Sequence, residues 1–298
     1  MNLNLNLIKT TLILSSIISS NLYAYKGIQD YETTRLKSTA GAGIGSILLN
    51  EAVILNPASI GFMQQSSIVY QKDRNKLQNE SESRISDHKN GNSELIIITD
   101  TSSTLNGGIS YQYQNIEAGK RLRVTGTAAH PISKSTVLGF GLNYTKEEST
   151  FIDSDYTHLT IGLSHVESSE LSYGFVLKDP AQTAAEYFEA GFGFQYNFNK
   201  FFSAIVDIGT GDVANYEDHS YRKYALQLNS FKDWFFRYGQ YENKSTNYKG
   251  IGYGASWVGP RFSLDYAYKI SEQIDENIGI LYSDEKIAEY SFSIVVLL

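Results

Sequence analysis

The sequence predicts an all-β fold: a transmembrane antiparallel β-barrel of about fourteen strands, preceded by a segment of different character. Three observations carry this. From about residue 64 the side chains alternate with period two almost to the last residue. One face of each alternating stretch is apolar and aromatic, the other polar or small. The connections alternate between tight turns and longer polar loops, as they do in membrane barrels.

Composition narrows the alternatives. The 298 residues include 22 Tyr, 15 Phe and 24 Gly, but only 4 Pro and no Cys. Without cysteine there are no disulfides, thiolate metal sites or thiol nucleophiles. The net charge of -7 leaves no basic excess for phosphates, so no nucleic-acid partner is expected. Mean hydropathy is -0.27. A barrel that is apolar on one face only averages out in this way. Beyond residue 25 no apolar run approaches the roughly 18 to 20 residues of a membrane helix.

Residues 1–24 read as a secretory signal peptide. Lys9 supplies the positive region, Thr10 to Leu22 the apolar centre, and Leu22-Tyr23-Ala24 the cleavage site. Residues 25–63 do not alternate. They hold the small-residue run Ser38 to Gly45 and then Asn56-Pro57-Ala58. The glycines lack the Gly-Lys-Ser/Thr that a phosphate loop requires. A short helix is expected across Ser46 to Ala52, ending before the turn at Asn56-Pro57.

Residues 64–298 supply the barrel. Strands are expected near 66–73, 93–101, 105–114, 119–129, 135–146, 154–166, 170–178, 186–198, 201–210, 219–229, 232–242, 247–258, 260–271 and 286–298. Phe192, Phe194, Tyr196 and Phe198 face away from Gly191, Gly193, Gln195 and Asn197. The other stretches split in the same way. Longer polar loops are expected at Arg74 to Asn92, Lys146 to Asp153, Asp179 to Ala185, Thr210 to Asp218 and Ser271 to Glu285. That phase puts both ends of the barrel on the short-turn, periplasmic side. Trp234 and Trp257 fall at this end on the outward face, where an interfacial girdle belongs. The closing alternation Tyr290, Phe292, Ile294, Val296, Leu298 resembles the signal by which barrel assembly machinery recognises its clients, with Leu in place of the usual aromatic.

The inward face is expected to carry Arg121, Arg123, Lys178, Glu189, Asp207, Lys223, Arg237, Asp265, Lys269 and Glu289. Such mixed charges pair with one another or with a plug. Arg121 and Arg123 are the candidates for binding an acidic headgroup, because the guanidinium fork fits a carboxylate. None of the five His has a persuasive nucleophile partner, and no His/Glu spacing reads as a metal site. Neither catalysis nor a cofactor is expected.

The order of these parts resembles the long-chain fatty-acid transporter family of outer-membrane proteins. The matching residues are Gly41, Gly43, Gly45, Glu51, Ala52, Asn56, Pro57, Ala58 and Gly61, placed just before the barrel. The resemblance implies that 25–63 fold into the lumen as a hatch. It implies a channel in the cell outer membrane for hydrophobic compounds such as fatty acids, gated by that hatch. Outer-membrane lipids and hydrophobic small molecules are then the expected partners. In the family a kink in the third strand opens a lateral route; here Gly107-Gly108 would mark it. The alternative is a non-transporting scaffold barrel that partners a secretion or cell-surface complex. A general diffusion porin fits less well, because a plugged lumen does not conduct freely.

Overall fold

A computed structural model of the protein describes residues 31–47, 51–79, 91–102, 105–116, 119–149, 153–183, 188–231, 233–274 and 285–298. The expected signal peptide and residues 25–30 lie outside them, as do 80–90 and 275–284 of the two largest expected loops.

Fourteen strands follow one another along the chain: β1 (Ser67–Asn79), β2 (Gly91–Asp100), β3 (Asn106–Ile116), β4 (Gly119–Pro131), β5 (Thr136–Ser149), β6 (Asp153–Val166), β7 (Leu171–Lys178), β8 (Glu189–Asn197), β9 (Phe202–Thr210), β10 (Ser220–Ser230), β11 (Trp234–Asn243), β12 (Tyr248–Val258), β13 (Phe262–Gln273) and β14 (Glu285–Leu297). Each pairs antiparallel with its sequence neighbours, and β1 closes on β14, with Ser67 opposite Leu297 and Arg74 opposite Tyr290. Closure removes the sheet edges, whose unpaired N–H and C=O groups could not be satisfied in lipid.

The two faces separate as the alternation requires. On β5, Phe140, Leu142 and Tyr144 are exposed outward, while Asn143 and Thr145 are buried inside. On β8, Phe192, Phe194 and Tyr196 point out. An apolar outer face around a polar interior is the arrangement of an outer-membrane barrel. Trp234 sits opposite Trp257 in the β11–β12 register, at the short-turn end. Trp257 packs edge-on against Phe262 and Trp234 stacks on Phe236, with centroids 5.0 and 6.4 Å apart.

The strands run further than expected at the long-loop end. β1 continues through Asn79, β5 through Ser149 and β13 through Gln273, where polar loops were expected. Hydrophobic alternation stops where a strand leaves the apolar layer, but backbone pairing does not. An ion pair such as Lys249–Glu272, 3.5 Å apart across β12 and β13, reaches into the extension of β13. β8 is shorter than expected and begins at Glu189. A single helical turn, Tyr216–His219, lies in the β9–β10 connection.

Candidate functional site

The lumen holds residues 31–47 and 51–63. This segment meets inward-facing residues of every strand, from Gln71 on β1 to Glu289 on β14.

Its only α-helix among the described residues is α1 (Thr34–Ser38). Five residues are too few for a helix to persist alone, so caps and packing must hold it. At its start, the Thr33 side chain accepts from the Leu36 N–H at 3.2 Å. At its end, the Gly41 N–H donates to Leu36 O (2.7 Å) and the Ala40 N–H to Lys37 O (3.2 Å). These are the two bonds of a Schellman stop. Ala40 and Gly41 accordingly have φ of 54° and 82°. The helix expected across Ser46 to Ala52 is absent where the chain is described: Glu51–Val53 is a 3-10 turn, and 48–50 lie outside the description. The strongest local caps lie at Thr33 and at Asn56, not at Ser46. A second 3-10 turn, Pro57–Phe62, is capped by Asn56, whose side chain accepts from the Ala58 N–H, with Pro57 in the first turn.

Toward the long-loop end the segment is anchored by charge. The Lys37 ammonium is ion-paired with Glu289 and lies 3.8 Å from Asp73. Lys269 is 2.7 Å from Glu32. Asp73 also accepts from Gln71 (3.0 Å) and Ser93 (2.6 Å). Gln71 in turn accepts from the Thr34 N–H and donates to Glu32 O. Burial opposes the charge on Lys37, yet Asp73, Glu289 and Glu32 outweigh it and hold its pKa above the ordinary lysine value. Glu51 folds the segment back on itself, accepting from Thr33 at 2.9 Å and lying 4.0 Å from Arg35.

Midway, the Asp207 carboxylate accepts from the backbone N–H groups of Gly43 (2.7 Å) and Ile44 (3.0 Å). Ser172 donates to Gly45 O. A Cβ on Gly45 would strike the β8 backbone at Gly193, 2.5 Å away. Asn56 donates to Ile44 O (2.9 Å) and to Ser164 (3.0 Å). Wall glycines leave the space for these contacts. A Cβ on Gly139 would collide with Pro57 and Ala58, and one on Gly162 with Asn56. Gly239 and Gly252 similarly admit Thr39 and Lys37. The glycines on the inner face therefore form the seat of the segment.

Toward the short-turn end the anchoring is apolar. Val53, Ala58, Ile60 and Met63 pack against Val69, Leu95, Ile97, Val137 and Val295 of the wall. Fully burying a side chain of this size contributes about 1.5–3 kcal/mol. These wall positions escaped the sequence reading. Their signal was present: Leu95-Ile96-Ile97-Ile98 is apolar on both faces, as only a strand covered on both sides should be.

The expected headgroup residues are close together but engaged. Arg121 pairs with Glu147 at 2.5 Å, and Arg123 donates to Thr145 at 2.9 Å. The Tyr31 ring lies over both, with centroid distances of 3.4 Å to Arg123 and 5.4 Å to Arg121. The other expected inward charges are buried or half-buried. Lys178 pairs with Glu189 at 2.7 Å. Arg237 donates to Gln227 and Ser256, and Ser256 donates to Asp265.

Gly107 and Gly108 lie in unbroken ladders, opposite Asp100 and Thr99 on β2 and Ala128 and Thr127 on β4. No bulge interrupts the register at this pair. A Cβ on Gly108 would lie 2.7 Å from Val53 of the lumenal segment. Ser164 and His165 face opposite ways. Ser164 meets Asn56 inside, while His165 contacts Thr136 (2.8 Å) and stacks on Tyr173 at 4.9 Å. No cluster of metal-binding side chains occurs among the described residues.

No family model and no curated protein matches this sequence. Solved structures do match its fold. The Ralstonia pickettii toluene transporter TbuX superposes with a TM-score of 0.71 at 10% identity, over 90% of this chain and 99% of that one. The CymD monoaromatic hydrocarbon channel gives 0.70 at 10%, over 89% and 97%. A Pseudomonas aeruginosa FadL homologue gives 0.63 at 12%, over 89% and 98%. The chain shares the fold of these proteins across nearly their whole length.

Proposed function

We propose that the protein is an outer-membrane channel for small hydrophobic compounds, with residues 25–63 as a hatch that must shift before a solute can pass. The observation that carries this reading is the fold match over nearly the full length of proteins described as a toluene transporter and a hydrocarbon channel. A lumen filled by its own N-terminal segment supports the gating part. The aqueous path of an open porin is replaced by a seat of glycines and buried ion pairs. Fatty acids are one candidate cargo, with Arg121 and Arg123 as the headgroup site and Gly107-Gly108 as the lateral exit. The outer-membrane lipids and the barrel assembly machinery are the partners such a protein meets.

The test is uptake. Cells lacking other hydrocarbon channels are supplied with radiolabelled toluene and oleate, with and without this protein in their outer membrane. Accumulation of either above background supports the channel. Background levels of both, with folded protein present in the membrane, overturn it.

A further inference from the structure

We propose that the outward face of β1, where Lys72, Arg74 and Lys76 follow one another, binds the phosphorylated disaccharide headgroup of a glycolipid in the outer leaflet. The proposal rests on the outer-membrane location and not on transport.

The stripe begins where the apolar layer stops. On β1, Val69, Gln71 and Asp73 are buried inside the barrel, so the positions between them face out. Ile68 and Tyr70 are the apolar members of that outer series, and both are exposed. Its next three members are Lys72, Arg74 and Lys76, also exposed. They run toward the long-loop end, which faces the cell exterior in membrane barrels. The chain as a whole has a net charge of -7, so three successive cations on one face run against its composition.

The neighbouring strands frame the stripe. On one side β14 places Phe292 opposite Lys72 and Tyr290 opposite Arg74. Tyr290 ends a row in register across four strands, Tyr238, Tyr253, Tyr268 and Tyr290. The rings of Tyr253 and Tyr268 are 5.3 Å apart, and those of Tyr268 and Tyr290 4.8 Å. Tyrosine favours the level where lipid tails meet headgroups. Arg74 continues this row on β1, and the Lys76 ammonium lies 5.7 Å from the Tyr290 ring centroid. On the other side β2 offers one carboxylate, Glu94, 3.5 Å from Lys72. Both side chains of that pair are mostly exposed, so it is weak and yields to a phosphate. The Arg74 side chain has no hydrogen-bond or ionic partner among the described residues. A guanidinium takes a phosphate through two parallel N–H bonds.

Spacing selects the headgroup. Alternate residues of a strand stand about 7 Å apart, so Lys72 and Lys76 are separated by about 13 Å. A single phosphate reaches two neighbouring cations and leaves the third. A disaccharide with a phosphate on each sugar spans all three. Its acyl chains then run down the apolar face over Tyr70, Ile68 and Phe292.

The probe is diphosphoryl lipid A, titrated into the full-length protein in nonionic detergent and followed by native mass spectrometry. Heat-modifiable gel migration verifies that each variant is folded. Arg74→Gln should weaken binding about fivefold, the effect of one cation at a lipid surface. Arg74→Lys, which keeps the charge but loses the fork, should weaken it less. The triple variant Lys72→Gln/Arg74→Gln/Lys76→Gln should lose at least about tenfold. Lys200→Gln, at the short-turn end, should bind like the wild type. Monophosphoryl lipid A and phosphatidylglycerol should each bind the wild type several-fold more weakly. Equal affinity in the wild type and the triple variant overturns the proposal, and so does an equal loss in Lys200→Gln. Equal binding of monophosphoryl lipid A or phosphatidylglycerol overturns the disaccharide assignment. The readout involves no transport. Cation-dependent lipid A binding without solute uptake counts against the channel and not the site; uptake without that dependence counts against the site and not the channel.

Discussion

The ammonium of Lys269 lies 2.7 Å from the carboxylate of Glu32, and both side chains are almost wholly buried. One belongs to the wall and the other to the lumenal segment, 237 residues apart in the chain. Removing one partner strands the other charge in a dry site, at a cost of about 3–5 kcal/mol. Lys269→Ala should therefore loosen the start of the segment while the barrel stays closed. Maleimide labelling of Thr34→Cys reads this directly, since the chain has no cysteine of its own. Labelling should be slow with Lys269 present and at least tenfold faster without it. Unchanged labelling would mean that the pair does not hold the segment. The double variant Glu32→Leu/Lys269→Leu, which leaves no orphaned charge, should restore much of the protection.

Gating by residues 25–63 predicts that fixing them stops transport. The hydroxyls of Thr34 and Ser291 are 2.7 Å apart, one on α1 and the other on β14. Thr34→Cys/Ser291→Cys should form a disulfide under oxidation. Uptake of toluene should fall to background when the bond is formed and return on reduction. Normal uptake in the oxidised form would show that the segment need not move at α1.

The glycine seat makes a contrasting pair. A Cβ on Gly139 would strike Pro57 and Ala58, whereas one on Gly126, on the neighbouring strand β4, would meet nothing within 4 Å. Gly139→Val should displace the 3-10 turn at Pro57–Phe62 and cost about 1–3 kcal/mol of docking through overpacking. Gly126→Ala should be silent. Single-channel conductance separates them: Gly139→Val should leak small ions and Gly126→Ala should not.

The charge on Lys37 gives a pH dependence with a definite sign. Its pKa is raised in the docked segment above the ordinary 10.5. The stabilisation is thus fully present below that ordinary value and fades only as pH rises toward the docked one. Thr34→Cys labelling, corrected for the intrinsic thiol rate, should show no Lys37-dependent step between about pH 6 and 9. A step near neutrality that Lys37→Met abolished would contradict the assignment.

How much of this was legible in the sequence follows from what kind of pattern each feature leaves. Phe140, Leu142 and Tyr144 face lipid, and lipid demands strict alternation, so strand number and inward face were both readable. The strand extensions at Asn79 and Gln273 were not, because polar ladders beyond the apolar layer look like loops. Gly41, Asn56 and Pro57 carried local signals of turn and cap, which the structure uses in those roles. Glu289 was readable as an inward charge, but its partner Lys37 was not, since nothing local relates residues 252 positions apart. The cation pair Arg121–Arg123 was found from residue type, but its occupant Tyr31 lies 90 residues upstream and was not.

The glycine pair on β3 admits two explanations that substitution can separate. Gly107 and Gly108 are adjacent, so their Cβ atoms point to opposite sides of the wall. On Gly108 a Cβ would meet Val53 Cγ2 at 2.7 Å and Ile60 Cδ1 at 3.2 Å, both in the lumenal segment. On Gly107 the nearest atom is the Thr127 carbonyl oxygen at 3.1 Å, on the neighbouring strand. If the pair serves only as a seat, Gly108→Val unseats Val53 and raises conductance, while Gly107→Val leaves toluene uptake unchanged. If the pair marks a lateral exit, a side chain on either residue obstructs the route, and Gly107→Val lowers uptake without affecting conductance. The unbroken pairing on both sides of β3 favours the first outcome. The β-branched valine strengthens the strand it enters, so loss of barrel stability is not expected from Gly107→Val. Uptake reduced several-fold in Gly107→Val, with the closed state intact, would return the lateral route to this position.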